Sequence, residues 1–504
     1  NNLTMSKDVC YYDVLKNEKL GRYLVAKKDL EAGEIIYCDT PFAVGPKPDS
    51  PPLCLGCYSP VQQDALCARC GWPVCSEECA AAPHHQAECE LFQKARVRFQ
   101  PVEDGASAPQ LDCITPLRLL LAKEKDPSRW EREVAPMEVH TEARRARPAW
   151  AADQVNIADF LVDHCKLGER FDKELVQRVC GILEVNAVEV PGRGGLPARA
   201  VCPRLAVAAH SCVPNIVVFR SIIHVYVPSE VLCYHRHLHP VPRVQVRAAV
   251  PIKAGEPLYL CYTYVLSPTV VRREYLLESK FFACECARCA DPTELGTHLS
   301  TLKCNKCDNG VILSTNPESQ CGFATSGAAM RRALAAVQAE VDQIDTLEPG
   351  PQAIEMREAL LKKYRSVFHP RHALLLGVKH ALAQLYGRAE GYGLDELPDL
   401  MLERKREFCE LVLKTLDVVA PGETRMRGMM LYELHAPVMF LARSEFTAGL
   451  LAPDQLKKRL QEPIRLLGEA ARILGREDPA SPEGITAQIA QQSMEQLQAS
   501  IDAL

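Results

Sequence analysis

The sequence has no run of eighteen apolar residues, so no membrane-spanning helix is expected from it. It has no excess of basic charge: 59 Lys and Arg face 64 Asp and Glu, for a net charge of −5. That balance excludes an overall positive field for nucleic acid. Its first residues, Asn1 to Asp8, lack the apolar core of a secretory signal, so the Asn2-Leu3-Thr4 sequon is read as chance. Hydrophobic residues make up 47% and charged residues 24%, as in soluble globular chains, and 504 residues suffice for about three domains. Cysteine is not scarce. Twenty-three of them without a signal imply a reducing compartment and metal.

The cysteines cluster. Between Leu53 and Cys89 the chain reads Cys54-x2-Cys57, Cys67-x2-Cys70, Cys75-x3-Cys79 and His85-x3-Cys89. Thiolate and imidazole are the ligands of closed tetrahedral Zn²⁺ sites, so eight of them imply two ions. A segment this short has little core, and metal would supply much of its folding energy. A disulfide framework would use the same cysteines, but a histidine at ligand spacing fits metal better. His84 beside His85 leaves the histidine open by one residue; the spacing to Cys89 favours His85. The pattern resembles a MYND zinc finger. The resemblance implies interleaved sites, Cys54, Cys57, Cys75 and Cys79 on one ion and Cys67, Cys70, His85 and Cys89 on the other. It also implies a module that binds proline-rich peptides.

The flanks read as a β-domain that the finger interrupts. Tyr23–Ala26 and Ile35–Tyr37 are strand candidates on either side of a turn at Leu30–Glu34, and Pro46, Pro48, Pro51 and Pro52 make a stiff linker. Residues 90–190 read as mostly helical, from Ile114–Lys123 through amphipathic stretches carrying Leu161, Val162, Leu175 and Val179. Arg144–Arg147 is expected to be solvated. Ile216–Phe219 and Val244–Val246 look like paired strands, joined by a long exposed loop from Ile222 to Pro242. That loop holds Cys233 and a comb of His235, His237 and His239. Ile252–Glu256 with Leu258–Tyr262 echoes the Leu30–Tyr37 pattern, which suggests two halves of one β-fold. From about Ala328 the chain reads as some seven helices in antiparallel pairs, with apolar stripes expected to be core. Their lengths are near those of tetratricopeptide units, without that repeat's consensus.

Three separated elements fit together: Gly21-Arg22-Tyr23-Leu24, then His210-Ser211-Cys212-x-Pro214-Asn215, then Cys261-Tyr262 followed by Cys284-x-Cys286-x2-Cys289. Here the chain resembles, along its whole length, the SET and MYND domain (SMYD) family of protein-lysine methyltransferases. Ala248–Ile252 and Asp291–His298 look closest to the arthropod branch. The resemblance implies an α+β fold. A β-rich SET domain (1–52 and 196–270) is split by the MYND finger (53–90) and a helical insert (91–195). A zinc-binding post-SET region (271–325) and an all-α, tetratricopeptide-like C-terminal domain (326–504) follow. It implies a third zinc on Cys212, Cys284, Cys286 and Cys289, and methyl transfer from S-adenosylmethionine to a histone or non-histone lysine. Tyr262 matches the catalytic tyrosine and, with Arg22, Asn186, His210 and Phe282, the cofactor pocket; Asn156 is a weaker candidate. Cytoplasm and nucleus are the expected locations. Cys304-x2-Cys307 with Cys321 hints at a fourth metal, one ligand short.

Three positions depart from the family pattern. Ala209 stands where an asparagine amide contacts the cofactor, Tyr23 where glycine allows close approach, and Lys280 where a second channel tyrosine is usual. Losing a paired buried group costs about 1–3 kcal/mol. Two readings therefore stand side by side: a working lysine methyltransferase, and a degenerate SET protein that serves as a zinc-dependent interaction scaffold.

Overall fold

The structure, a computed structural model, describes residues 10–103, 105–192, 196–226, 238–307, 310–313, 319 and 321–503. The fold is α+β, with the strands concentrated in two stretches on either side of the finger and the helical insert. The first ten strands in chain order are β1 (Tyr12–Asn17), β2 (Gly21–Ala26), β3 (Ile35–Asp39), β4 (Ala43–Pro46), β5 (Val188–Pro191), β6 (Pro197–Val201), β7 (Ala209–His210), β8 (Ile216–Tyr226), β9 (Leu238–Ala248) and β10 (Tyr259–Leu260). β1 and β2 form a hairpin, β3-β9-β8 and β4-β6-β5 are three-stranded sheets, and β7 runs parallel to β10. The first of these sheets joins a strand from before the finger to two from after the insert, and the second joins β4 to β5, at the end of the insert, and β6, just after it.

The echo in the sequence is a physical repeat. In Glu31–Glu34 the Glu34 carboxylate accepts the Glu31 N–H at 3.1 Å, and in Lys253–Glu256 the Glu256 carboxylate accepts the Lys253 N–H at 3.1 Å. Gly33 and Gly255 take φ of +82° and +83°, a conformation that glycine enters without a Cβ penalty. The two units pair with each other: the Leu30 and Ile252 backbones exchange hydrogen bonds of 2.8 and 2.9 Å, and Gly255 N–H donates to Ala26 O at 2.7 Å. Leu24, Ile36, Tyr37, Val244, Val246, Ile252 and Leu258 are buried between them.

Two expectations are corrected here. Both ends of the loop drawn from Ile222 to Pro242 are strand, since β8 and β9 stay in register from Ile216↔Ala248 out to Tyr226↔Leu238; residues 227–237 lie outside the described residues. Cys233, His235 and His237 of the histidine comb lie outside the described residues, and of His239 only the backbone, in β9, is described. Arg144 is not solvated but buried, paired with Asp153 at 2.8 Å and Glu184 at 2.5 Å. It pins the middle of the insert to the helix Lys173–Asn186.

The insert packs on the β-domain through the helix Ile114–Lys125, whose Thr115 hydroxyl donates to Pro46 O at 2.7 Å. Among the described residues, seven helices follow the post-SET cysteines: Gly327–Asp345, Pro351–Tyr364, Ala373–Leu385, Asp399–Val419, Arg425–Thr447, Pro453–Leu474 and Pro482–Ala503. Their stripes are not wholly core. Val337 and Ile344 are buried, but Leu334 and Val341 line a cleft of about 450 Å³ whose opposite wall is Tyr264–Pro268 and Val271.

Candidate metal centres and active site

The finger brings its ligands together in two interleaved groups. Cys54, Cys57, Cys75 and Cys79 form one; Cys67, Cys70, His85 and Cys89 form the other. In each, all donor atoms lie within 4.8 Å of one another, close to the roughly 3.8 Å edge of a tetrahedral zinc–thiolate site. The helix Pro83–Ala95 carries His85 and Cys89 one turn apart, so both point to one side. His85, not His84, stands in the group: its Nε2 is 3.7 Å from Cys70 Sγ, whereas His84 Nε2 meets Leu55 O at 3.0 Å.

A buried relay that sequence reasoning missed holds the second group. His85 Nδ1 is 3.0 Å from Glu88 Oε1, and Glu88 is gripped at both oxygens by Arg118, Nε at 2.8 Å and Nη2 at 2.7 Å. Arg118 also donates to Leu55 O, Val44 O and the Tyr58 hydroxyl. Burial opposes the Glu88 charge, but the Arg118 guanidinium and His85 outweigh it and hold the carboxyl below its ordinary range. A carboxylate behind a ligating imidazole fixes the ring's orientation and raises its basicity. The i, i+3 spacing of His85 and Glu88 was a usable signal; Arg118, in a distant helix, gave none.

The third group joins Cys212, two residues beyond β7, to Cys284, Cys286 and Cys289. Cys212 Sγ lies 3.5 Å from Cys289 Sγ and 3.9 Å from Cys284 Sγ. Four thiolates on one Zn²⁺ leave two negative charges, and two buried arginines face them. Arg272 Nε is 3.3 Å from Cys212 Sγ, while Arg288 donates to Cys212 O at 3.3 Å and Val265 O at 2.7 Å. Glu294, fully buried, pairs with both arginines at 2.8 Å.

Tyr262 follows β10 and is held by its surroundings. Its N–H donates to His210 Nδ1 at 3.0 Å, its ring lies 5.1 Å from the His210 ring, and its hydroxyl donates to Ala208 O. Burial pushes the phenol up to about 12, so it stays protonated at neutral pH. Phe282 packs on the other side of His210, with ring centroids 5.8 Å apart. Asn186 ends the helix Lys173–Asn186 and spends its amide on Glu138 O, 2.9 Å, and Ile182 O, 3.1 Å. Arg22, on β2, donates to Pro136 O at 3.1 Å. The segment Pro136–Glu138 thus lies between Arg22 and Asn186. Lys280 closes the ring of contacts: its Nζ donates to Val185 O at 2.6 Å and sits 5.8 Å over the Tyr262 ring. Burial lowers its pKa. Asn156 is exposed on the helix Gln154–His164, apart from these contacts. Ala209 is buried in β7, and Tyr23 lies half-buried opposite Leu15 in the hairpin.

A protein of Drosophila melanogaster described as SET domain-containing protein SmydA-8, isoform A, is 31% identical over 296 residues, 57% of this chain and 57% of its own length. The human N-lysine methyltransferase SMYD2 is 25% identical over 279 residues, 53% of this chain and 58% of its own. This chain is similar to SET and MYND domain proteins over a little more than half of its length. It spans less than two thirds of the length of these relatives. No protein-family profile matches it. A solved structure of the SET domain of LSMT bound to lysine and AdoHcy aligns over 98% of this chain and 88% of that one, at 13% identity and a TM-score of 0.29, too loose to compare sites. The finger and post-SET sulfur groups, the split β-domain and the helical C-terminal region are consistent with a SET and MYND architecture.

Proposed function

We propose that this chain is an S-adenosylmethionine-dependent protein-lysine N-methyltransferase. Zinc would be held by the two finger groups and by Cys212, Cys284, Cys286 and Cys289. The observation that carries the reading is the convergence of Tyr262, His210 and Phe282, hung on the third sulfur group, with Arg22, Asn186 and Lys280.

S-adenosylmethionine, when bound, supplies an electrophilic methyl on a sulfonium. The chain's own residues must present a neutral amine to it. Keeping a free lysine deprotonated near pH 7.4 costs about 4 kcal/mol. A dry wall lowers that cost by disfavouring the ammonium. Tyr262 donates its only O–H proton to Ala208 O, so its oxygen can accept a hydrogen bond from an incoming amine and orient it. His210 and Phe282 shape the adjoining pocket. The residues fit the cofactor on one condition: the Lys280 ammonium, which stands beside Asn186, must release Val185 O or lose its proton.

The same ammonium, together with the methyl of Ala209, favours a second reading, a scaffold with a weakened pocket. On either reading the finger is a candidate site for a proline-rich peptide, and the thiol-rich clusters suit the cytoplasm or nucleus. Calorimetric titration of the zinc-loaded protein with S-adenosylmethionine, beside Ala209→Asn, separates the two. Binding by the native chain and transfer of labelled methyl to a lysine peptide library support the enzyme. Binding by the variant alone supports the scaffold.

A further inference from the structure

Cys304, Cys307 and Cys321 gather outside the finger and the post-SET cluster, with their sulfurs within 4.8 Å of one another. Three thiolates leave a tetrahedral zinc one donor short. Ser319 stands beside two of the three sulfurs. Ser319 is buried, and its Oγ lies 3.2 Å from Cys304 Sγ and 3.0 Å from Cys321 Sγ. Cys304 Sγ and Cys321 Sγ are 3.6 Å apart. A zinc ion about 2.3 Å from each sulfur and 2.1 Å from an oxygen needs donors about 3.6–3.8 Å apart. The observed spacings come within about 0.6 Å of that.

The local backbone repeats that of the finger. In Cys54-x2-Cys57 the N–H of Gly56 donates to Cys54 Sγ at 3.3 Å; in Cys304-x2-Cys307 the N–H of Lys306 donates to Cys304 Sγ at 3.4 Å. Gly310 keeps the space clear, since a Cβ there would come within 2.5 Å of Cys307 Sγ. We propose that Cys304, Cys307, Cys321 and the Ser319 hydroxyl bind a fourth zinc ion.

The place of the site gives it a task. Cys304 follows the short strand Leu302–Lys303, which pairs with Val311–Ile312 and meets the helical domain through Lys303 N–H to Val367 O, 2.8 Å. Cys321 lies just before the first of the seven C-terminal helices. A metal here ties the exit of the post-SET region to the entry of that domain. A neutral hydroxyl binds zinc more weakly than a thiolate, so this ion is the first of the four to leave.

The test counts metal in the full chain purified under reducing conditions. Native protein is expected to hold four zinc ions by elemental analysis, and Cys304→Ser/Cys307→Ser three. Equal counts in the two would overturn the proposal. Should the double variant fail to fold, native protein loaded with ¹¹³Cd decides. Four cadmium resonances are expected, one of which alone moves in Ser319→Ala and shifts towards the four-thiolate range in Ser319→Cys. Only three resonances, or none that responds to Ser319, sinks the fourth site as drawn. So does loss of two free thiols to a Cys304–Cys321 disulfide.

Discussion

Asp39 ends β3 with one carboxylate oxygen accepting the Leu205 N–H at 2.9 Å and the other buried without a partner. Burial pushes its pKa up to about 6, against the pull of that N–H and of Arg204. The folded state therefore keeps a proton that the unfolded chain sheds near pH 4. The resulting contribution to stability is full below pH 4 and is lost as pH rises to about 6 and beyond. Asp39→Asn is expected to stabilise the protein at pH 7.5 by about 2–3 kcal/mol and to gain nothing at pH 4. Thermal melts at the two pH values check this; a gain independent of pH would refute the assignment. Glu88 behaves oppositely, as a charge that its neighbours need. Glu88→Gln leaves Arg118 buried without a counter-charge and loosens the hold on His85. The expected cost is about 3–5 kcal/mol in stability and a 10–100-fold easier loss of one zinc, read by chelator competition. Sequence spacing was enough to find the eight finger ligands and the post-SET trio, because tetrahedral sites impose short fixed intervals. It could not find Arg118, Arg272, Arg288 or Glu294, which respond to charges assembled only on folding.

At the scale of elements, the helix Thr269–Lys280 sets the state of the candidate pocket. Its last residue, Lys280, aims its ammonium at the end of the helix Lys173–Asn186. Lys280→Tyr removes that positive charge and supplies the usual ring. We expect about tenfold tighter S-adenosylmethionine binding by calorimetry, since two like charges a few ångströms apart cost roughly 1–4 kcal/mol. Unchanged affinity would mean that Lys280 already swings clear. Most elements were legible from apolar periodicity: the helix from Ile114, the paired strands at Val217 and Val246, and the seven C-terminal helices. The outer ends of β8 and β9 were not. There Ser221, His224, Arg243 and two prolines interrupt the apolar pattern, and strand pairing continues through backbone hydrogen bonds regardless.

At the scale of the whole molecule, a small knot at Glu423 joins the helical domain to the β-domain. Glu423 donates its N–H to Ala249 O at 2.9 Å, and its carboxylate pairs with Arg472 and Arg476. Gly422 allows that approach, as a Cβ there would meet Ala249 O at 1.9 Å. Gly422→Val is expected to force the two parts apart and split a single calorimetric unfolding peak into two, with a loss of several kcal/mol in the first. One unbroken peak at the native temperature would show that the knot carries no coupling. The order of the parts could be read from the sequence through its family resemblance, but this knot could not, since Gly422, Glu423 and Ala249 carry no pattern of their own.

The pairing of β3 with β9 has a further consequence, in time rather than space. Ile35 must find Arg247, and Leu30 must find Ile252. On a ribosome adding roughly 5–20 residues per second, the first strands wait about 10–40 s for their partners to emerge. Throughout that interval Leu24, Ile36 and Tyr37 lack Val244, Val246, Ile252 and Leu258, with which they share a core. The nascent chain is then a client for chaperones before it is a protein with a pocket, and zinc capture by the finger, whose ligands are all synthesised early, can be complete long before the sheets close.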